Sequence, residues 1–217
     1  MNILVWKIIG RYKNMKIEIG QLRKKDFNIA RKYAIDGMHL NWYVSNKFEL
    51  YFYSKYFWYL EISKATNVFA AYMENKLLGI LLVNMKDESK MYKSIRYKLF
   101  VKIISFIINI FYKSTSNTYD ETNVKMLNEF KKENNPDGEI NFLAVDPNIK
   151  GKGIGTLLLN ELEKQEKGKL MYLYTDNGST YQFYLHRGFN ESGKTDIKME
   201  INKNVIDLTC FLFSKRL

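Results

Sequence analysis

The stretch Leu143-Ala-Val-Asp-Pro-Asn-Ile-Lys-Gly-Lys-Gly-Ile-Gly-Thr-Leu-Leu-Leu159 decides the fold. Its first residues end an apolar run that predicts a strand over 139–145. Pro147 and the glycines at 151, 153 and 155 then open a helix over 153–166, with Ile154, Leu157, Leu158 and Leu162 on its inward face. Glycines remove Cβ atoms where a ligand must approach the backbone, and the first N–H groups of a helix have no internal partners. The aligned peptide dipoles put roughly half a positive charge at such a start. Lys150 and Lys152 add full charges, so a phosphate or pyrophosphate is the natural guest.

Spacing sorts the nucleotide alternatives. A P-loop needs GxxxxGK followed by Ser or Thr, and Gly151 to Thr156 contains no such pair. A dinucleotide fingerprint needs GxGxxG directly after a strand. Here the third glycine is missing, and Asp146 to Ile149 separate strand from loop.

Downstream, the pattern predicts a strand over 170–174, a helix over 179–187 and strands over 195–201 and 205–213. Upstream it predicts a strand over 15–20 and a helix over 25–39, where Phe27, Ala30, Ala34 and Met38 recur at helical spacing. A helix rich in aromatics follows over 46–60, then a hairpin of runs 67–73 and 77–84 joined by Glu74-Asn75-Lys76. Between 91 and 113, Lys98, Lys102, Ser105, Asn109 and Lys113 draw one narrow polar stripe along a helix. The favoured reading is a nearly buried helix roofing the domain, over a membrane-surface or partner helix; LFVKIISFIINIFY at 99–112 is too short and interrupted to span a bilayer. A short helix over 120–132 completes an insertion covering 87–133. The expectation is an α+β chain with a single domain over 15–217. Residues 1–14 form an extension, expected to be poorly ordered, that is a poor signal peptide, and Met15 is an alternative start.

The run from Leu143 through Lys150-Gly-Lys-Gly-Ile-Gly155 resembles the acyl-CoA signature of the GNAT superfamily of N-acetyltransferases. There Gln or Arg, two residues, Gly, one residue, and Gly or Ala follow the fourth strand. Lys150 stands where that pattern has Gln or Arg, keeping the charge but losing the planar fork. Asn177 followed by Tyr181-Gln-Phe-Tyr184-Leu-His-Arg-Gly188-Phe189 is similar to the family's strand-five asparagine and FYxxxGF helix. The resemblance implies a mixed, mostly antiparallel central sheet of about six to seven strands flanked by helices, with a helical insertion before strand four. It also implies direct transfer of an acetyl group from acetyl-CoA to a primary amine of a small molecule or peptide in a ternary complex. The pantetheine arm would lie along Leu143, Ala144 and Val145, in a gap splayed between the strands ending at Val145 and Tyr174. The pyrophosphate would sit on Lys150, Gly151, Lys152, Gly153, Ile154, Gly155 and Thr156, and Asn177 would join the cofactor site. Tyr184 would hydrogen-bond the sulfur and protonate the leaving thiolate, and Glu139, with Asn141 on the same strand face, is the best candidate base. An aromatic core role for Tyr184, a solvent-exposed Glu139 and a water chain as base remain open alternatives.

The chain has 217 residues with 34 basic and 23 acidic side chains, a net charge of +11. Residues 1–117 hold 20 basic and 8 acidic groups, so the excess belongs to the N-terminal half and is not explained by the phosphate loop. One cysteine, Cys210, expected to be a buried small hydrophobe, excludes a disulfide framework and a thiolate zinc site, and two isolated histidines give no metal site. A cytoplasmic setting, no metal, no nucleic-acid partner, no transmembrane segment and room for a homodimer are expected. The aromatics Trp42, Tyr43, Tyr51, Tyr53, Tyr56 and Trp58 are read mostly as core, with an amine-binding pocket as the alternative. The basic half disfavours a strongly cationic acceptor unless Glu49, Glu61 or Glu139 lines the pocket. The insertion is a candidate lid. The rival classes are a non-catalytic acyl-CoA-binding module and a basic nucleic-acid or membrane-surface binder.

Overall fold

The computed structural model describes residues 16–44, 46–111, 115–201 and 204–217; the N-terminal extension therefore lies outside the described residues. Seven strands form one sheet in the order β1-β2-β3-β4-β5-β7-β6. They are β1 (Ile17–Gly20), β2 (Asn67–Met73), β3 (Lys76–Met85), β4 (Gly138–Val145), β5 (Leu170–Asp176), β6 (Asn190–Ile201) and β7 (Asn204–Arg216). Every pairing is antiparallel except β4 with β5. The helices among the described residues are α1 (Phe27–Gly37), α2 (Lys47–Lys64), α3 (Ile95–Phe111), α4 (Thr115–Phe130), α5 (Ile154–Gln165) and α6 (Gln182–Leu185). This is the α+β architecture and strand count expected. The helix expected over 179–187 is shorter, with turns on either side of α6.

Side-chain alternation along the strands sorts the core into two faces. On one face α5 seats Ile154, Leu158, Leu159 and Leu162 against Phe69, Leu81, Val83, Met171, Leu173 and Phe213. On the other, α1 and α2 bring Ala30, Ala34, Trp58 and Ile62 onto Ala70, Ile80, Leu82 and Phe142. Further along that second face α4 packs Met126 and Phe130 on Met199, Leu208, Cys210 and Leu212. Cys210 is fully buried, and burial pushes its thiol up to about 12. At the start of α2, Asn46 Oδ1 accepts from Phe48 N–H and Glu49 N–H, each at 3.0 Å. That satisfies two of the orphan donors and sets where the helix begins.

A bulge in β4 positions the site. Leu82 pairs with Phe142 but Val83 pairs with Ile140, so Asn141 is the extra residue. Ile140 faces α5 while Phe142 faces α1 and α2, a switch of face that two residues of regular strand would not make.

The insertion departs from expectation. Its first helix, α3, is not nearly buried: it lies on the outer side of α2, where Tyr59 stacks on Tyr97 at 4.2 Å and meets Phe100 edge-on at 5.3 Å. Ile95, Leu99, Ile103, Phe106 and Ile107 are exposed. Stacked on α2 rather than on the sheet, the helix buries its apolar residues among the described residues chiefly against α2. Among the described residues no helix is long and apolar enough to cross a membrane.

Candidate active site

β4 and β5 pair only at Gly138 with Met171 and Glu139 with Tyr172. Beyond Glu139 the two strands part, while β4 stays paired to β3 up to Val145 and β5 to β7 up to Asp176. The bulge at Asn141, which adds local twist and bend to β4, stands at the parting. The result is a notch in mid-sheet where Glu139, Asn141, Leu143 and Val145 are only half-buried. Backbone groups on that edge have no strand partner and are available to an extended ligand.

The far end of the notch is the glycine loop. Asp146 fixes the turn: its carboxylate accepts from Asn148 N–H at 3.0 Å and from Lys76 Nζ at 2.7 Å. Those bonds outweigh burial and hold its carboxyl below the usual carboxylate range. Gly151 and Gly153 have φ of +78° and +80°, and an added Cβ would meet nothing within 4 Å at either, so the loop surface is open. Gly153 is the N-cap of α5, which has no side-chain cap. The site therefore suits a phosphate, as the pattern of glycines and lysines predicts.

α6 stands beside that helix start. Phe183 closes on it, since a Cβ on Gly155 would lie 3.1 Å from its ring. Tyr184 is half-buried among Phe183, Phe189 and Phe213. Burial raises its phenol well above the ordinary value, so it is neutral and a donor at physiological pH. Among the described residues its hydroxyl makes no hydrogen bond to protein. Arg187 was not singled out from the sequence, yet its Nε donates to Thr156 Oγ1 at 3.1 Å and its Nη2 reaches the same oxygen. This puts a third cation at the first turn of α5. Its signal was in plain view, one residue before Gly188 in the aromatic motif, but the contact pairs residues from two helices. Asn177 caps the end of β5, with Oδ1 accepting from Thr209 N–H at 3.0 Å.

The other mouth of the notch, between α2 and α4, is acidic and lined with tyrosines. Glu61 of α2 is buried; Lys64 Nζ lies 2.9 Å from Oε1 and Asn141 Nδ2 donates to Oε2 at 2.7 Å. Glu139 accepts from Tyr172 hydroxyl at 3.4 Å, and burial together with the Glu61 charge raises its carboxyl above the usual range. Asp120 on α4 is raised by desolvation, with Lys64 and Glu61 acting in opposite senses on it. Across the mouth, Tyr119 hydroxyl donates to Asp176 at 3.3 Å. Tyr43 sits 6.2 Å from Tyr53, and burial, reinforced by Asp176, pushes its phenol up to about 12. Of the aromatics read as core or pocket, Trp58 is core, Tyr43, Tyr53 and Tyr56 are half-buried, and Trp42 and Tyr51 are exposed. Glu49 is engaged with Asn46 at the start of α2, whereas Glu61 and Glu139 meet at the notch. The insertion thus does reach this mouth, through Tyr119 and Asp120. Among the described residues no group of three His, Cys, Asp or Glu is placed to hold a metal ion.

The family model described as acetyltransferase (GNAT) family matches residues 33–189. Among solved structures, a protein from Pyrococcus horikoshii OT3 aligns with TM-score 0.55 at 19% identity, covering 93% of this chain and 99% of its own. The PaiA N-acetyltransferase from Thermoplasma acidophilum, in complex with coenzyme A, gives 0.52 at 15%, covering 94% and 100%. NAA60 from Arabidopsis thaliana, in complex with a bisubstrate analogue, gives 0.52 at 14%, covering 93% and 98%. At these identities the likeness is one of fold. No curated protein matches the sequence. With most of its length matched by the family model, and with the sheet and glycine loop described above, the chain belongs to the GNAT family of acetyltransferases.

Proposed function

We propose that the protein transfers an acetyl group from acetyl-CoA to a primary amine of a small molecule or peptide, directly and in a ternary complex. The observation that carries this reading is the parting of β4 and β5 after Glu139, with an open glycine loop at one end and an acidic, tyrosine-lined mouth at the other. The coenzyme A held by PaiA and the bisubstrate analogue held by NAA60, both of this fold, support it.

Acetyl-CoA brings the activated acetyl group; the protein binds, orients and moves protons. The unpaired edge at Leu143, Ala144 and Val145 takes the extended pantetheine arm. The N–H groups from Gly151 through Ile154 and Gly155 to Thr156, with Lys150, Lys152 and Arg187, hold the pyrophosphate. Asn177 offers its amide to the same arm. A backbone N–H near Val145 stabilises negative charge on the carbonyl oxygen, and Tyr184, neutral and with its hydroxyl unspent, donates to the departing sulfur. Glu61, Asp120 and Asp176 favour an ammonium group, and the tyrosine faces add cation–π attraction. Glu139, its proton affinity raised by burial, takes the amine proton directly or through water. Glu61 and Glu139 at this mouth meet the condition under which a basic N-terminal half does not disfavour a cationic acceptor.

The test is thiol release from acetyl-CoA across panels of polyamines, aminoglycosides, amino acids and peptide N-termini. Amine-dependent release is expected. Saturable coenzyme A binding with no release on any amine would instead assign a non-catalytic acyl-CoA-binding module.

A further inference from the structure

The exposed face of α3 has no part in the site above, and among the described residues it sets a row of large apolar side chains in water. Ile95, Leu99, Ile103 and Phe106 are 84%, 57%, 51% and 67% exposed. At 100° per residue these positions, with Ile107, fall within a single sector of about 120°. The inward sector is used separately: Tyr97 and Phe100 meet Tyr59, and Ser105 Oγ donates to Tyr56 hydroxyl at 3.2 Å. Burying one stripe on α2 therefore leaves a second stripe of large side chains in water. An ordinary surface helix would put polar residues there.

Charge says what covers it. Between Glu88 and Asp120 the sequence carries six basic residues and no acidic one. Lys98 and Lys102 run along one border of the apolar sector and Arg96 stands within it, all exposed. None of these three forms an ion pair among the described residues. A second copy of the chain across a two-fold axis would set these cations against their own kind. Nor is the face a groove into which a partner helix would fit, since its exposed apolar side chains all stand on a single helix. A long apolar ridge bordered by unpaired lysines matches the boundary between headgroups and acyl chains of an anionic bilayer.

We propose that α3 docks the protein on anionic membrane surfaces, with Ile95, Leu99, Ile103 and Phe106 entering the acyl boundary and Lys98 and Lys102 lying among the lipid phosphates. The helix lies in the interface and does not span it. α2 and α4 belong to the same face of the sheet, so docking would hold the acidic mouth near the membrane.

The experiment is flotation of the full chain with phosphatidylcholine vesicles, with or without about one third phosphatidylserine. Co-flotation is expected only with phosphatidylserine present, with release as salt is raised. Leu99→Ser with Phe106→Ser, and separately Lys98→Glu with Lys102→Glu, should each lower the bound fraction about tenfold. Because all four side chains are exposed, circular dichroism and thermal unfolding should match the parent protein. Absence of binding to the phosphatidylserine vesicles, or binding that neither pair of changes weakens, overturns the proposal. So does sedimentation as a dimer that Leu99→Ser with Phe106→Ser converts to monomer, since a second copy would then occupy the face.

Discussion

Asn141, the bulged residue of β4, donates its Nδ2 to Glu61 of α2 at 2.7 Å from Oε2 and 3.2 Å from the main-chain oxygen. One side chain thereby ties the strand distortion that opens the sheet to the helix that supplies the acidic mouth. Its own Oδ1 is buried without a partner among the described residues, which leaves an acceptor for an incoming N–H.

Asn141→Ala should therefore act twice. It removes a hydrogen bond to a buried carboxylate and one to a main-chain oxygen, which costs about 1.5–3 kcal/mol of stability by urea unfolding. It also loosens the amine end, so KM for the amine should rise while KM for acetyl-CoA stays within about twofold. Equal rises in both would place Asn141 in the general scaffold and not at the acceptor mouth.

Glu139 has a raised carboxyl, caused first by burial and then by Glu61. As general base it must be ionised, so the acidic limb of the rate profile should lie above the ordinary glutamate range of about 4. Glu139→Gln should remove that limb and lower kcat by about a hundredfold. The linkage sign is the reverse of the usual carboxylate. A folded-state pKa above the unfolded one gives stability that is complete below the unfolded value and lost as pH rises through the folded one. Chemical unfolding followed from pH 4 to pH 8 should show this loss in the parent and not in Glu139→Gln. A flat difference between the two would remove the carboxyl from consideration as the base.

The contrast between this mouth and the glycine loop shows which parts of the site a sequence makes legible. The loop is contiguous: Lys150 to Thr156 carry their left-handed glycines, lysines and helix start within seven residues, so local rules suffice to read it. The β2–β3 hairpin was readable for the same reason, through two apolar runs and the turn chemistry between them. The acidic mouth joins Glu61, Asp120, Glu139 and Asp176 from four elements, and no local pattern signals that they meet. α3 was misread because periodicity reports that a helix has an apolar side but not what lies opposite. Two apolar sectors, one on α2 and one in water, give the same pattern as one broad buried face.

Tyr184 separates chemistry from packing. Its ring lies among Phe183, Phe189 and Phe213, while its hydroxyl makes no hydrogen bond among the described residues. Tyr184→Phe keeps the ring and deletes only the oxygen, so melting temperature and coenzyme A affinity should stay near those of the parent. kcat should fall about tenfold or more if the hydroxyl protonates the leaving thiolate. An unchanged kcat would make Tyr184 a packing residue and pass the acid role to water.

Gly153 and Gly155, on either side of the first residue of α5, should respond to alanine in different ways. At Gly153 an added Cβ meets nothing within 4 Å, but φ is +80°, so the cost is backbone strain of about 1–2 kcal/mol with no clash. The loop would leave the left-handed geometry that aims its N–H groups, and the Michaelis constant for acetyl-CoA should rise about tenfold. At Gly155 the backbone is helical and alanine gains about 1 kcal/mol in propensity. That gain is opposed by contact with the Phe183 ring at 3.1 Å, and the ring must move a few tenths of an ångström to accept it. Gly155→Ala should thus leave stability nearly unchanged while shifting α6, and with it Tyr184, relative to the helix start. Its defect should fall on kcat more than on acetyl-CoA affinity. Isothermal titration with coenzyme A beside steady-state kinetics distinguishes the pair. A loss of affinity in Gly155→Ala as large as that in Gly153→Ala would mean that the loop and α6 act as one phosphate site and not as separate binding and proton-donating ends.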